Sequence, residues 1–244
     1  MKAFILLQAL IIAAAVTAGA VIRSKAPDAP ADAVKHFEDV RSISFDVVTV
    51  TEMSGRKNFS AFEGGGWFYD ESYSPCIFVC RAEDSLTCGW YDFSQRVTVE
   101  KRISGSCPAV GEAIDLTVNG GIHRHPKNMY FYNEYLPEDI PDSRVLTVLD
   151  LEGLNFMKPG HSYLVACQTT VIGSSRYYGT PYGAPCWLDL ADNSDKILTV
   201  PAYEADYAEY ADNEFFCSSR KELDDLIALK KRLFDRYGLD APTL

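Results

Sequence analysis

The pattern of apolar and polar residues divides the chain into an apolar start, a long middle with strand patterns, and a helical end. Alternating or apolar runs predict strands, and Gly, Pro and Asn-Gly turn signals separate them. Such a succession is typical of a mainly β fold, an antiparallel OB-like barrel or sandwich. The predicted strands lie at 43–47, 76–82, 87–93, 96–102, 113–118, 145–151, 162–171, 187–190 and 197–200.

Helical patterns flank the predicted strands. Residues 31–41 place three apolar side chains on one helical face and predict a short N-terminal helix. Near the other end, Ser219 and Glu222 have the spacing of a capping box, and Gly238 is a natural helix stop. Apolar residues at helical spacing lie between them, so the sequence predicts an amphipathic C-terminal helix over 219–237 that packs on a sheet.

Two long segments lack a regular pattern. Residues 124–143 are polar and rich in Pro and Tyr, and residues 173–186 combine Gly, Pro and Tyr. Both predict surface loops, because Gly and Pro interrupt regular structure. Residues 203–212 are acidic and aromatic and predict an irregular or weakly helical surface segment.

The first 25 residues form an export segment. The apolar run Ala3–Ile22 is long enough to cross a bilayer, which takes roughly 20 residues of helix. The small residues Ala18–Ala20 form an A-x-A cleavage site, so a cleaved signal peptide and a retained membrane anchor both stay open. A Pro-rich linker follows at 26–31, and residues 32–244 form a single extracytoplasmic β-rich domain.

Charge and composition restrict the partners. The formal net charge is −11, and the pI is near 4.8. Nucleic acid is excluded as a partner, because binding it depends on Lys and Arg that neutralise phosphates. The acidity is typical of a protein kept soluble outside the cytoplasm.

The seven cysteines predict disulfides in an exported chain, although their odd number leaves at least one unpaired within the chain. Three pairings stay open. They are Cys76 or Cys80 with Cys88, Cys167 with Cys186, and Cys107 or Cys217 with the remaining cysteine.

Motifs for catalysis, metals and cofactors are missing from the sequence. The glycines at 64–66 precede no Lys-Ser/Thr pair, so they form no phosphate loop. On a strand, His123 and His125 would share one face, but they lack a clear third ligand and lie beside a turn, which is typical of solvated loop residues, and no G-x-S-x-G elbow occurs. We therefore predict a protein that is not an enzyme and that carries no metal and no cofactor.

Aromatic residues cluster in or beside Gly- and Pro-rich segments. Exposed aromatic side chains there offer a platform for a protein, a peptide or a glycan, while the same residues could instead pack at the ends of a barrel core. The candidate binding residues are Trp67, Phe68, Tyr69, Tyr130, Tyr132, Tyr177, Tyr178 and Tyr182.

A succession of three short strand motifs resembles a known type of domain. The motifs are a strand at 97–100, a Gly-led strand at 107–118 and a strand that follows Pro159–Gly160. This resembles OB-like extracytoplasmic domains of bacteria, similar in shape to netrin-type modules and to the tissue inhibitors of metalloproteinases, and more loosely the domains inserted in bacterial permeases. The chain lacks the N-terminal Cys-x-Cys with which such inhibitors reach a metal, so the resemblance implies the fold and transfers no functional residue.

Three functions stay open on this basis. The leading one is a non-enzymatic extracytoplasmic binding or interaction domain, secreted or tethered by residues 3–22. The second is an accessory module of a membrane assembly, which requires a retained anchor. The third is an exported hydrolase, which requires a nucleophile and a base within hydrogen-bond reach.

Overall fold

The computed structural model describes twelve stretches of the chain and places a mainly β fold in them. They are residues 35–36, 47–49, 58–63, 75–88, 92–119, 121–126, 145–150, 153–172, 175–180, 186–191, 195–199 and 207–239. The predicted export segment at 1–25 and linker at 26–31 lie outside them.

The described elements are nine strands, two α-helices and one 3₁₀ turn. The strands are β1 (Val47–Thr49), β2 (Cys76–Cys88), β3 (Asp92–Ser104), β4 (Ala113–Asn119), β5 (Gly121–Pro126), β6 (Val145–Asp150), β7 (Ser162–Ile172), β8 (Ser175–Gly179) and β9 (Trp187–Asp189). The helices are α1 (Tyr207–Tyr210) and α2 (Arg220–Tyr237), and the 3₁₀ turn spans Asn58–Glu63.

Five strands form a sheet that closes into a ring. The order is β2-β3-β4-β8-β7, and β7 pairs again with β2. Every pairing in the ring is antiparallel except β4 with β8, which is parallel and joins Leu116 to Tyr178 and Thr117 to Gly179. The ring closes along Cys76–Arg81, which pairs with Ser162–Cys167. Strand β9 adds to β7, and a separate three-stranded sheet has the order β1-β6-β5.

The side chains of β7 alternate between two apolar clusters, because successive residues of a strand point to opposite faces. Val165 and Cys167 belong to a cluster that all five ring strands contribute to, which is the interior of the ring. Leu164 and Ala166 belong to a second cluster that also holds the 3₁₀ turn and the inward face of α2. The helix therefore covers the outer face of the sheet near β7.

Helix α2 carries the caps that its sequence encodes. Ser219 Oγ accepts a hydrogen bond from the Glu222 backbone N–H at 3.2 Å, and Glu222 Oε2 accepts one from the Ser218 N–H at 3.3 Å. Gly238 ends the helix in the left-handed conformation at φ 58°. The buried helix residues are Leu223, Leu226, Leu229, Lys230, Leu233 and Phe234.

Several details differ from the sequence-based predictions. The strand predicted at 87–93 is not a single strand, because Cys88 at the end of β2 pairs antiparallel with Phe93 in β3. The loop predicted at 173–186 contains β8, which gains its hydrogen bonds from β7 and β4. No strand occupies 197–199, the described part of the predicted strand at 197–200.

The predicted N-terminal helix at 31–41 is described at Lys35 and His36 alone, and neither is helical. The Lys35 carbonyl accepts a hydrogen bond from the Leu86 N–H at 2.8 Å. His36 Nδ1 lies 3.0 Å from the Asp84 carbonyl oxygen. These two residues therefore lie along the end of β2, where a β2 backbone N–H bonds the Lys35 carbonyl and a β2 carbonyl contacts the His36 imidazole.

We predict that Gly105→Ala destabilises the fold more than Gly111→Ala. Both glycines have positive φ, 77° and 83°, which costs an L-residue about 1–2 kcal/mol. A Cβ at Gly105 would also lie 2.5 Å from the Pro75 carbonyl oxygen, whereas one at Gly111 meets no atom within 4 Å. Chemical denaturation of both variants measures the difference, and equal losses of unfolding free energy would contradict the close packing of Gly105 on Pro75.

Candidate functional site

Of the eight predicted aromatic binding residues, the structure describes two. Tyr177 and Tyr178 lie side by side in β8 and point to opposite faces of the hairpin formed by β7 and β8. Tyr177 is 53% exposed, whereas Tyr178 is buried in the ring interior. One tyrosine of the pair thus fits the predicted platform, and the other packs in the core. The remaining six lie outside the described residues: Trp67, Phe68, Tyr69, Tyr130, Tyr132 and Tyr182.

The tip of this hairpin is exposed to solvent. Strand β8 pairs with β4 only at Tyr178 and Gly179, so its first three residues form no ladder pairs with β4, and all three are exposed. Val171 pairs with Arg176 on the same face as Tyr178, yet Val171 is 63% exposed. Both faces of the tip are therefore open to solvent, and they present an aliphatic, a cationic and an aromatic side chain.

Where the hairpin enters the ring, buried hydroxyls line its inner face. Thr169 pairs directly with Tyr178, and Thr180 follows two residues later on the same face. Burial raises the pKa of Tyr178, while the Arg176 guanidinium acts in the opposite direction. Within the described residues, Thr169 Oγ1 and Thr180 Oγ1 are buried without a hydrogen-bond partner. Buried polar groups nearly always have a partner, so the base of the tip offers hydroxyls that a water or a ligand atom could satisfy.

A second cluster of polar side chains lies at the opposite end of β7. His161 occupies the turn before β7, and its Nδ1 lies 2.9 Å from Asp189 Oδ2 at the end of β9. The Asp189 side chain is 1% exposed, and the imidazole is 38% exposed. A buried carboxylate that holds one ring nitrogen fixes the orientation of the imidazole and leaves Nε2 for a ligand or a proton.

The cluster continues inward to α2. The Asp189 N–H donates a hydrogen bond to Glu214 Oε1 at 2.8 Å, and Lys230 Nζ donates one to Glu214 Oε2 at 2.6 Å. Lys230 Nζ also donates to the Ala191 carbonyl at 3.0 Å. This network ties β9, the segment before α2 and the middle of α2 together through buried charges.

Burial controls the titration of this network. Desolvation raises the pKa of Glu214 to about 7, although the Lys230 ammonium lowers it. Desolvation also raises the pKa of Asp195, while its hydrogen bonds from the Glu214 and Phe215 N–H groups act against that rise. Burial raises the pKa of Tyr163, which contacts Asp189 as well.

The chemistry of His161 is limited by its neighbours. Among the described residues, its only side-chain hydrogen bond is the one to Asp189. The adjacent Ser162 hydroxyl donates to Glu100 Oε2 at 2.7 Å and not to the imidazole. The pair can orient a ligand or move a proton, but it holds no aligned nucleophile in this part of the chain. Within the described residues no group of three or more His, Cys, Asp or Glu side chains could hold a metal ion.

The structure does not bring the first two predicted disulfide pairs together. Cys76, Cys80 and Cys88 lie in the one strand β2, and at roughly 3.3 Å per residue neither Cys76 nor Cys80 comes within disulfide reach of Cys88. Cys167 points into the ring, whereas Cys186 belongs to the cluster under α2 on the other face of β7. All seven cysteines are thiols in the structure, and Cys76 instead lies opposite Cys167.

The sequence contains one signal for the missed network. Lys230 occupies an apolar position of the helical pattern in α2, where a charged side chain needs a buried partner. Nothing local to Asp189 or Glu214 sets them apart from the other acidic residues. Separately, no helix of the described residues is long and apolar enough to cross a membrane, and the run at 3–22 lies outside them.

We predict that above pH 7, where Glu214 is ionised, Lys230→Met lowers the free energy of unfolding by about 3–5 kcal/mol, because it leaves the carboxylate buried without its cation. Lys221→Met is the matched control on the same helix. Its ion pair with Asp225 is exposed, so its loss costs about 0.5 kcal/mol or less. Urea denaturation measures both, and a small loss for Lys230→Met would contradict a buried ion pair.

We also predict that stability falls as pH rises from 4.5 to about 7. Within this window the folded state keeps a proton on Glu214 that the unfolded state has released, so folding binds protons and raising the pH opposes it. Glu214→Gln should flatten this slope, because the amide does not titrate. Denaturation midpoints across the window test the effect, and an unchanged slope in the variant would assign the pH dependence to other groups.

Comparisons with known proteins leave the chain without an identified relative. No protein-family model, no curated protein and no solved structure matches it. The resemblance to netrin-type and permease-inserted modules accordingly stays a prediction.

Proposed function

We propose that this chain is a non-enzymatic extracytoplasmic binding domain with an OB-like barrel, and that it binds through the tip of the β7–β8 hairpin. The order of the ring supports the OB-like assignment. Counted along the chain, its third and fifth strands pair in parallel and its first strand closes on its fourth. OB barrels bind ligands across one face and with the loop between their fourth and fifth strands.

One observation carries the proposal. Within the described residues three large hydrophobic side chains are exposed, and two of them, Val171 and Tyr177, sit on the two arms of this one hairpin. Neither side chain is buried by packing within the described residues. Exposed aromatic and apolar side chains close together on one hairpin are typical of interaction sites.

The hairpin tip fits a protein, a peptide or a glycan. Tyr177 offers a flat ring for stacking or for an apolar contact, and Arg176 offers a cation for carboxylates or for an aromatic face. The net charge of −11 argues against nucleic acid. The predicted aromatic residues outside the described part would extend this platform.

Export supports a partner outside the cytoplasm. The apolar run at 3–22 directs the chain to the membrane, either as a cleaved signal peptide or as an anchor. A retained anchor would favour the alternative of an accessory module in a membrane assembly.

One observation favours a second candidate, an exported hydrolase. His161 is oriented by a buried carboxylate, which is the arrangement of a general base and its positioning residue. Hydrolysis by this pair would use an activated water or a nucleophile contributed from outside the described residues. The pair lies at the end of β7 away from the hairpin tip, so separate variants distinguish the two functions.

We expect the chain to leave the cytoplasm when it is expressed in a secretion-competent host. Mass spectrometry of the mature N-terminus reads the outcome. A soluble form that begins at Val21 would identify a secreted domain, and an intact N-terminus in the membrane fraction would identify a tethered one. An intact chain in the cytoplasmic fraction would contradict the proposal.

We expect Tyr177→Ala and Val171→Ser each to weaken binding about tenfold or more, because central aromatic and apolar contacts dominate interfaces. Arrays of peptides and glycans find a ligand of the wild-type domain, and titration then compares the variants. Val110→Ser is the control, since Val110 is equally exposed but lies away from the hairpin. All three should keep the wild-type melting temperature. If ligand binding persists in both hairpin variants and is lost in His161→Ala, the binding site lies at His161 and the hairpin proposal is wrong.

A further inference from the structure

Three thiols converge where the ring closes. Cys76 at the start of β2 lies opposite Cys167 in β7, and the Cys107 and Cys167 thiols both act on the pKa of the Cys76 thiol. Cys107 Sγ also donates to the Ser104 carbonyl at 2.9 Å and to the Ile77 carbonyl at 3.1 Å. All three side chains are buried in the ring cluster.

The chain holds Cys107 in this place through the turn after β3. Gly105 packs so closely on Pro75 that an added Cβ would meet its carbonyl oxygen at 2.5 Å. The Cys107 N–H donates back to the Gly105 carbonyl at 3.0 Å, which closes the turn. Cys107 is therefore fixed against the start of β2 by backbone contacts that do not depend on its own sulfur.

We propose that Cys76 and Cys107 form a disulfide in the exported protein, and that it fastens the turn after β3 to the start of β2. The inference rests on the proposed export, because disulfides persist in oxidising compartments outside the cytoplasm. None of the pairings predicted from the sequence placed these two residues together as a specific pair.

The backbone pattern of β7 decides between Cys107 and Cys167 as the partner. The Ala166 N–H donates to the Cys186 carbonyl, and the Leu190 N–H donates to the Ser162 carbonyl. The even-numbered residues of β7 therefore direct their backbone groups toward β9. Cys167 then directs its groups toward β2 and forms a hydrogen-bonded pair with Cys76. Such pairs hold the Cα atoms about 5.5 Å apart and the Cβ atoms about 5 Å apart, wider than the ~3.8 Å mean of a disulfide.

The bond forms by thiol–disulfide exchange with a small disulfide donor, such as oxidised glutathione. One protein thiolate attacks a donor sulfur and releases one donor thiol, and the second protein thiolate then attacks the mixed disulfide and releases the other. The two protein thiols lose two electrons and two protons in total, and the donor disulfide gains them as two thiols. Cys167 remains a thiol beside the bond.

Burial makes this a structural bond, formed during folding. The hydrogen bond to Cys107 lowers the pKa of the Cys76 thiol. The hydrogen bond to Cys167 and burial act against it, and the pKa is raised overall. The hydrogen bond to Cys76 and burial both raise the pKa of the Cys107 thiol. Exchange needs a thiolate, so it is fast while the chain is still open and slow once the ring has closed.

The test maps disulfides in protein secreted from cells and in the same full chain refolded with oxidised glutathione. Remaining thiols are alkylated, and peptides are read by mass spectrometry without reduction. We expect a linked Cys76–Cys107 peptide pair in both samples, and its loss in Cys76→Ser and in Cys107→Ser. The matched control Cys88→Ser and the variant Cys167→Ser should keep it, and reduction should lower the wild-type melting temperature by several degrees.

Two results would overturn the inference: seven alkylated cysteines after refolding with oxidised glutathione, or Cys76 linked to Cys167 in place of Cys107. A link that forms on refolding but is absent from a chain retained in the cytoplasm would support the site and overturn the proposed export. The refolded sample therefore separates failure of the disulfide from failure of the proposed function.

Discussion

The pairing of β2 with β7 is the constraint on which the rest of the fold depends. It joins Cys76–Arg81 to Ser162–Cys167, far apart in sequence, and turns a meander into a closed ring. Because β7 then has neighbours on both edges and apolar clusters on both faces, a one-residue slip would move each of its side chains into the other cluster. Closure also pairs β2 with β7, which leaves fewer open edges to pair with other chains.

Within the described residues, the two candidate sites lie at the two ends of β7. Its C-terminal end continues into the exposed hairpin with Val171 and Tyr177. Its N-terminal end follows His161, whose partner Asp189 connects through Glu214 to α2. The charged network thus stabilises the helix-covered end, and the apolar tip at the other end is free to contact a partner. Strand β7 connects the buried charged network to the exposed hairpin tip. Such a connection is suited to binding, because it keeps the tip ordered before a partner binds.

The sequence predicted the β-rich class because alternation and turn residues are local signals, as at 97–100. It missed β8 because that strand is short and owes its order to β7 and β4, not to its own Gly- and Tyr-rich sequence. The neighbours of Cys76 could not be read from spacing, since β3 pairing brings Cys107 to the start of β2 and ring closure brings Cys167 there. Tyr177 and Tyr178 look alike in sequence, and only the register of the hairpin separates the exposed residue from the buried one.

Ring closure can be tested directly by nuclear magnetic resonance on the isotopically labelled domain. The account predicts cross-strand backbone contacts between Cys76–Arg81 and Ser162–Cys167 in antiparallel register, together with parallel contacts between Leu116–Thr117 and Tyr178–Gly179. The amides of both pairings should exchange slowly with solvent, because they are bonded within the ring. Contacts from β7 to β8 and β9 with none to β2 would leave the sheet open and contradict the account.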